Sequence, residues 1–203
     1  MIKISTILKF IIPLLFIFNS NAHAQILIIS DIDDTIKESH VLDKLQAVFN
    51  AYDLDDPFLG MAELYQNVLF ENPNSAISYI TNAPKSLMEF SHSQFLKINQ
   101  FPFGDLVLSQ TFHGSSKVPR IRVEVEKYNP KILILLGDNG QNDINDYSKI
   151  ETEYTEKGIQ VLTFIRVDYL SRFSGISPKP SQKTFVTAGE VALELMKKRL
   201  LAL

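Results

Sequence analysis

The sequence predicts an α/β fold with a doubly wound parallel sheet, and its composition and one pattern along the chain lead to that prediction. Its 203 residues are 45% hydrophobic and 21% charged, which is typical of one globular domain and excludes disorder and multi-span membrane folds. From Gln25 onward, short apolar runs alternate with longer amphipathic stretches. That alternation is typical of strand–helix units whose parallel sheet is covered on both faces.

Five apolar runs are predicted as strands of this sheet. None shows the alternation of polar and apolar residues that marks a strand with one face in water, so each is expected to be buried on both sides. The runs are Ile26–Ile29, Ile77–Ile80, Leu106–Leu108, Ile132–Leu136 and Val161–Ile165.

Helical spacing and helix-start signals predict the segments between and after the strands. Thr187 and Glu190 have the spacing of a capping box, which opens a last helix that we expect to end at about Leu200. The other helices are expected at Leu87–Ile98, Lys117–Tyr128 and Asp143–Lys157.

Residues 36–76 separate the first two strands and are predicted to form a small insertion. This insertion contains two helical stretches, at about Val41–Ala51 and Gly60–Glu71. Residues 173–183 contain Pro178 and Pro180 and are expected to be a surface loop.

Residues 1–24 predict a secretory signal that lies outside the folded domain. Lys3 and Lys9 precede an apolar run, and Ala22-His23-Ala24 has the small-x-small pattern of a cleavage site. The apolar run is shorter than the roughly 20 residues that span a bilayer. We expect cleavage after Ala24 and export to the periplasm or the medium, which leaves residues 25–203 as the mature domain. An uncleaved membrane anchor is the alternative.

The net charge and the lack of cysteine limit which partners and metals we expect the protein to bind. Twenty basic residues against twenty-three acidic ones give a net charge of −3, without a basic stripe, so a nucleic-acid partner is not expected. The chain has no cysteine, which excludes a disulfide framework, a thiolate nucleophile and a Cys-ligated metal. Any metal must then be held by oxygen or histidine, and a hard cation such as Mg²⁺ is expected.

Polar residues follow the apolar runs at the positions where such sheets bind ligands, beyond the carboxyl ends of the strands. The segments are Asp31-Ile32-Asp33-Asp34-Thr35, Thr81-Asn82 and Gly137–Asp143, with Lys117 ahead of the fourth strand. We expect Asp31, Asp33 and Asp138 to converge, and such a carboxylate cluster is costly unless a divalent cation neutralises it. Thr81 and Lys117 add donors and positive charge, so the set suits an anionic tetrahedral group.

Each of these segments has a simpler interpretation when taken alone. Acidic and hydroxyl residues after strands are common as turn residues and helix N-caps, and a lone lysine is usually a solvated surface residue. A Ca²⁺-binding loop is excluded because Ile36 and Leu42 stand where that loop needs Gly and Glu. The occurrence of all the segments in this order favours the functional interpretation.

The order of these segments resembles the haloacid dehalogenase (HAD) superfamily of phosphohydrolases. Its members have an apolar strand with Asp-x-Asp-x-Thr, a strand ending in Thr or Ser, a Lys that opens a helix, and a strand followed by Gly-Asp-x-x-x-x-Asp. The match covers about Ile26 to Asp168. It implies a Rossmannoid core and a HAD-like phosphatase domain over residues 25–203.

Within that superfamily, several segments resemble the catalytic domain of the yeast actin-patch phosphatidate phosphatase family. They are Ser30–Lys37, Tyr79–Pro84, Phe101–Gly104, Leu136–Asp143 with Tyr147, and Ile165-Arg166. The chain departs from that family at several positions. Asn139 and Ala83 stand where the family usually has Ser, and Ile144-Asn145 stands where it has Pro-Glu. The family also usually has an aromatic residue near the position of Lys85.

The resemblance implies a role for each site residue. Asp31 would attack phosphorus and form an aspartyl-phosphate, and Asp33 would act first as general acid and then as general base. Mg²⁺ would be held by the Asp31 carboxylate, the Asp33 backbone carbonyl and Asp138, with Asp143 as a ligand through water or a support for Lys117. Thr81 and Lys117, and more weakly Asn82, would bind the phosphate oxygens.

The substrate implied is a phosphomonoester, and two classes of it stay open. One is a phospholipid such as phosphatidate, which would involve peripheral membrane contact, and the other is a soluble phosphorylated small molecule. A noncatalytic secreted interaction module on the same scaffold is the alternative from another class, and the presence of both Asp31 and Asp33 disfavours it.

Overall fold

The structure, a computed structural model, describes residues 25–39, 54, 56–111, 115–140, 142–167 and 177–202. Its sheet is built from β1 (Ile26–Ser30), β2 (Ala76–Pro84), β3 (Asp105–Ser109), β4 (Ile132–Asp138), β5 (Gln160–Arg166) and β6 (Lys183–Phe185). The strands are all parallel in the order β3-β2-β1-β4-β5-β6, so the chain winds outward from β1 in both directions. The predicted doubly wound parallel α/β fold is confirmed.

Helices cover both faces of this sheet. Within the described ranges they are α1 (Met61–Glu71), α2 (Lys85–Ile98), α3 (Val118–Tyr128), α4 (Asp143–Glu156) and α5 (Ala188–Lys197). Ile26 and Ile28 of β1 pack into a core with α1, α2 and α5, whereas Leu27 and Ile29 pack into a second core with α3 and α4. Because alternate side chains of a strand point to opposite faces, this central strand must be apolar at every one of these positions.

The structure adds β6, which the sequence analysis did not predict. The strand starts at Lys183, the last residue of the predicted 173–183 loop, and it pairs with β5 from Phe164 to Arg166. Of its three residues only Phe185 is buried. Such a short and mostly exposed strand has no apolar run by which it can be recognised.

The other predicted elements that fall in the described ranges are confirmed, and most of their ends shift by three residues or fewer. The prediction that Thr81 and Asn82 follow the second strand is wrong, because β2 continues past Ile80 to Pro84 and contains both residues. The last helix ends at Lys197 and not at Leu200, because Arg199 has a left-handed φ of 58° and the N–H of Leu200 bonds back to Leu195 O at 3.0 Å. The predicted capping box of Thr187 and Glu190 is present. Residues 1–24 and the predicted helix Val41–Ala51 lie outside the described residues.

The central position of β1 decides which side chains meet at the carboxyl edge of the sheet. Ser30, its last residue, is in register with Tyr79 of β2 and Leu136 of β4. Asp31 therefore leaves the sheet between the ends of these two strands, where β2 carries Thr81 and β4 ends in Asp138. In the part of the chain that is described, no helix is long and apolar enough to cross a membrane.

Candidate active site

The loop after β1 is held in shape by its own backbone. The carbonyl of Ile32 accepts hydrogen bonds from the N–H groups of Ile36 at 2.9 Å and Lys37 at 3.0 Å. Asp34 takes a left-handed φ of 57°, which aspartate tolerates better than most residues. Because Ile32 and Ile36 are buried, the loop is anchored in the core and presents Asp31 and Asp33 at fixed places.

Asp31 belongs to a buried chain of ion pairs. The Nζ atom of Lys117 lies 2.8 Å from Oδ1 of Asp31 and 2.6 Å from Oδ1 of Asp143. All three side chains are buried. One ammonium group therefore faces two carboxyl groups. It belongs to Lys117, the residue immediately before α3.

Asp138 completes a cluster of three buried carboxyl groups with Asp31 and Asp143. One oxygen from each lies within 4.8 Å of the oxygens from the other two. Oδ1 of Asp138 accepts a hydrogen bond from the N–H of Gly140 at 2.5 Å, whereas Oδ2 has no hydrogen-bond partner among the described residues. A buried oxygen of this kind is costly unless something binds it.

Close packing behind this cluster requires glycine at position 137. A Cβ atom there would lie 2.4 Å from Oδ2 of Asp143 and 2.7 Å from Cε2 of Tyr147. The hydroxyl of Tyr147 donates to the carbonyl of Leu136 at 3.0 Å and so ties α4 to β4. Gly137 therefore allows α4 to approach β4 and bring Asp143 to the cluster.

Burial makes the cluster resist ionisation. It raises the pKa of Asp31 to about 7, although Lys117 opposes the shift. Burial also raises the pKa of Asp143 against the opposing effect of Lys117. The pKa of Asp138 lies well above its usual range, because burial and the charge of Asp143 act in the same direction.

Asp33 faces a different set of side chains. Its Oδ1 accepts a hydrogen bond from the hydroxyl of Ser39 at 2.7 Å, and its Oδ2 lies 3.3 Å from Nε2 of His92. The hydroxyl of Thr81 is 3.5 Å from the same Oδ2. Burial disfavours the ionised form of Asp33, but the interactions with His92 and Ser39 outweigh burial and lower its pKa to about 2. Asp33 thus favours ionisation, whereas the cluster resists it.

Thr81 and Asn82 lie beside a cation that the sequence analysis missed. Arg120 donates from Nη1 to the backbone carbonyl of Thr81 and from Nη2 to Oδ1 of Asn82, both at 2.5 Å. The hydroxyl of Thr81 also accepts a hydrogen bond from the N–H of Ala83 at 3.1 Å. The end of β2 is therefore held by the first turn of α3.

Asp146 fixes the residues that lead into α3. Its Oδ2 accepts the backbone N–H of Lys117 at 2.6 Å, and its Oδ1 accepts the hydroxyl of Ser116 at 2.9 Å. Asp146 is buried in the first turn of α4, the same turn that carries Asp143. One helix turn therefore anchors the backbone of Lys117 and also pairs with its ammonium group.

A family model confirms the resemblance seen in the sequence. Residues 26–166 match the family described as phosphatidate phosphatase APP1, catalytic domain. The chain belongs to this family. Membership in this family supports a phosphatase-type hydrolase.

One curated relative of this APP1-type domain shares limited sequence identity with it. An uncharacterized protein of Schizosaccharomyces pombe, C29B5.04c, is 24% identical over 175 residues, and the alignment covers 77% of this chain but 27% of that protein. The chain therefore spans about a quarter of the length of this relative.

Two solved structures share the HAD-like fold. A protein of Burkholderia xenovorans LB400 described as a haloacid dehalogenase-like hydrolase aligns with a TM-score of 0.57 and 12% identity, over 88% of this chain and 100% of that one. The HAD domain of the effector protein Lem4 from Legionella pneumophila aligns with a TM-score of 0.52 and 14% identity, over 87% and 96% of the two chains.

The predicted site residues of this APP1-type domain fall into two adjacent groups. Asp31, Lys117, Asp138 and Asp143 share the buried cluster. Asp33 lies beside Thr81 in a second group, and its carboxyl group is not part of the cluster. The expected convergence of Asp31, Asp33 and Asp138 is therefore wrong for the Asp33 carboxyl group, since α4 brings Asp143 to that place. The backbone carbonyl of Asp33 is the contribution to the metal that the resemblance implies.

Some residues of the APP1-type site were missed although they carried a signal. His92 shares with Phe95 and Leu96 the i, i+3, i+4 spacing of a buried helix face, and a histidine on such a face is a candidate for a role. Arg120 follows Lys117 by three positions, close to one helical turn, so the two share a helix face. Ser39 and Asp146 carried no signal of this kind.

The cluster has the ligand chemistry of a site for a hard divalent cation. Its three carboxyl groups offer oxygen donors, and Oδ2 of Asp138, which has no hydrogen-bond partner in the described part of the chain, is already buried beside them. Oxygen atoms with a few water molecules are the usual ligands of Mg²⁺. The residues present therefore fit the metal that the family implies.

Proposed function

We propose that the chain is a Mg²⁺-dependent phosphatase that hydrolyses a phosphomonoester through an aspartyl-phosphate on Asp31. The observation that supports this most directly is the contact of Lys117 with Asp31 and Asp143 at 2.8 and 2.6 Å, in a cluster that also holds Asp138. The cluster lies at the carboxyl edge of the sheet, where ligands bind in folds of this kind.

In the first half-reaction, a carboxylate oxygen of Asp31 attacks phosphorus and the bond from phosphorus to the alcohol oxygen breaks. Lys117 contacts Asp31, which supports its role in binding the phosphoryl oxygens, where charge develops in the transition state. The metal, when bound to Asp31, Asp138 and the Asp33 carbonyl, supplies positive charge that lets an anionic nucleophile meet an anionic phosphate. The charge of Arg120, at the end of β2, adds to that of Lys117.

Asp33 moves the proton in both half-reactions. Its protonated form gives a proton to the leaving alcohol oxygen, and its carboxylate then takes a proton from the water that attacks the aspartyl-phosphate. Inorganic phosphate leaves and the Asp31 carboxylate is restored. Because the pKa of Asp33 is about 2 in the free protein, owing to His92 and Ser39, the base form is the resting state, and the acid form must be favoured by the bound phosphate.

A phospholipid is the substrate class that we propose first. The family is that of a phosphatidate phosphatase, and Leu87 and Phe90 are 55% and 76% exposed on the first turns of α2, which follow directly on the Thr81 end of β2. Exposed apolar side chains beside a site suit contact with a membrane surface.

A soluble phosphomonoester is the second candidate. The family usually has an aromatic residue near the position of Lys85. In this chain, Lys85 forms an ion pair with Glu89 at 3.4 Å on the same turns of α2. This ion pair makes the rim next to Leu87 and Phe90 less apolar than a dedicated lipid surface.

A substrate panel with purified protein tests the proposal. We expect release of phosphate from p-nitrophenyl phosphate with Mg²⁺ and none with EDTA, while an Asp31→Asn variant serves as the background control. Faster release from phosphatidate in mixed vesicles than from glycerol 3-phosphate would support the lipid substrate, and the reverse order would support the soluble one. A wild-type protein that releases no phosphate from any of the three would favour the noncatalytic module.

A further inference from the structure

His92 is a fully buried histidine that contacts Asp33 but has no step of its own in the proposed mechanism. It lies on the buried face of α2 with Phe95 and Leu96, which pack into the core. Its Nε2 lies 3.3 Å from Oδ2 of Asp33 as an ion-pair contact, and neither ring nitrogen has a hydrogen-bond partner among the described residues. A buried imidazole with so few partners costs stability, so its contact with Asp33 is the evident reason for its position.

The two oxygens of Asp33 are held by different parts of the fold. Oδ2 faces His92 of α2 and the hydroxyl of Thr81 in β2, two elements of the rigid scaffold. Oδ1 accepts a hydrogen bond from the hydroxyl of Ser39, which follows the loop after β1. A hydroxyl can rotate and exchange partners, whereas a ring on a packed helix cannot. Oδ1 is therefore the oxygen that can be released to a substrate or a water molecule.

We propose that His92 is a positioning residue for Asp33, which holds Oδ2 so that Oδ1 carries the proton to and from the reacting oxygen. This role rests on the proposed phosphatase function. When the bond from phosphorus to the alcohol breaks, the proton on Oδ1 passes to the alcohol oxygen, and in the second step Oδ1 takes the proton of the attacking water. His92 exchanges no proton in either step and acts through the orientation of Asp33.

The test compares two leaving groups on one protein preparation, so that any loss of folded protein cancels. His92→Leu keeps the residue apolar and buried but removes the ring nitrogen, whereas His92→Gln places an amide nitrogen near the position of Nε2. The value of kcat/KM reports on the transfer to Asp31, and only an alkyl leaving group needs a proton in that step. The alkyl substrate is whichever of glycerol 3-phosphate and dioctanoyl phosphatidate the wild-type protein hydrolyses with the higher kcat/KM.

We expect His92→Leu to lower kcat/KM for the alkyl phosphate roughly 10- to 100-fold. The kcat/KM for p-nitrophenyl phosphate should stay within about threefold of the wild-type value. His92→Gln should restore most of the loss. With p-nitrophenyl phosphate, His92→Leu should also show a burst of nitrophenol, because the water that hydrolyses the aspartyl-phosphate still needs the base. Ser91→Ala is the matched control, since Ser91 is buried on the same turn and bonds to Met88.

A second measurement does not depend on turnover. In protein labelled with ¹³C at the aspartate carboxyl groups, the Asp33 signal, assigned with Asp33→Asn, should move in His92→Leu and return toward its original position in His92→Gln. Equal losses of kcat/KM for both leaving groups, or an unmoved Asp33 signal, would overturn the role of His92 while the phosphatase function stands. A wild-type protein that hydrolyses neither ester would overturn the proposed function and this role together.

Discussion

Lys117 Nζ lies 2.8 Å from Oδ1 of Asp31, although the two residues come from different strand–helix units. The contact exists because Lys117 immediately precedes α3 on one face of the sheet and Asp31 leaves the central strand at the same edge. It brings a permanent positive charge to the carboxyl group that we propose as nucleophile. The same ammonium group also contacts Asp143, so removal of any one member changes the charge felt by the other two.

Asp31→Asn should abolish activity and leave the fold intact. The amide has nearly the shape of the carboxylate, but it is neither a nucleophile nor an anionic metal ligand. We expect phosphate release to fall by roughly a thousandfold or more, measured with p-nitrophenyl phosphate and Mg²⁺. A variant that keeps more than about a tenth of the wild-type rate would refute the assignment of Asp31.

Mg²⁺ should raise the melting temperature of the wild-type protein by an amount that grows with concentration. The ion binds the folded site and not the unfolded chain, so binding adds to the free energy of unfolding. Asp138→Asn should abolish the increase, because it replaces a carboxylate oxygen of the cluster by an uncharged amide group that is a poor ligand for Mg²⁺. Calorimetric scans with EDTA and with millimolar Mg²⁺ decide the point, and a full shift in Asp138→Asn would mean that the metal site lies elsewhere.

Without metal, the protein should become more stable as the pH falls from about 8 to about 5. The pKa of Asp31 is raised by burial from 3.8 to about 7, so the folded state binds a proton in this window that the unfolded state does not bind. A raised pKa contributes its full stabilisation at a pH below the pKa of the group in the unfolded state. That stabilisation is lost as the pH rises through the pKa of the group in the folded state. The pKa of Asp33 is lowered to about 2, so Asp33 stays ionised between about pH 8 and about pH 5. Its contribution to the stability of the folded state is lost only at more acidic pH and does not oppose the trend.

Melting curves in EDTA across this pH range provide the measurement. The Asp31→Asn variant is the control, since its amide does not titrate and its curve should be flatter. With saturating Mg²⁺ the trend should weaken or reverse, because protons compete with the metal for the carboxylates. A wild-type stability that falls steadily with pH in EDTA would contradict the raised pKa of Asp31.

Gly137→Ala should damage both stability and the metal response. The new Cβ atom would lie 2.4 Å from Oδ2 of Asp143, so α4 must move away from β4. We expect a loss of roughly 1 to 3 kcal/mol in the free energy of unfolding and a smaller Mg²⁺-dependent shift. Gly189→Ala, in α5, is the matched control: the nearest atom that its Cβ would meet among the described residues is the Thr187 hydroxyl at 3.8 Å, so it should be neutral or stabilising.

Residues 1–24 should be absent from the exported protein. The expected product begins at Gln25, and N-terminal sequencing of protein recovered from the periplasm or the medium checks it. A membrane-bound product that begins at Met1 would support the uncleaved anchor instead.

The sequence by itself determined the fold class and most of the residues that meet at the carboxyl edge. Continuous apolar runs such as Ile26–Ile29 require burial on both faces, and that property is local enough to be recognised without a structure. The short strand Lys183–Phe185 was beyond this reasoning, since its hydrogen bonds to β5 and not its own pattern make it a strand.

Only the tertiary structure decided how the site residues are divided. Asp31 and Asp33 are two positions apart on one loop, yet Asp31 faces Lys117 and Asp33 faces His92. The direction of each side chain depends on which helix packs against that end of the sheet, and such packing joins residues far apart in the chain. For the same reason Arg120 and Asp146 entered the site only with the structure, because a helix residue acquires its partners from the turn that packs beside it.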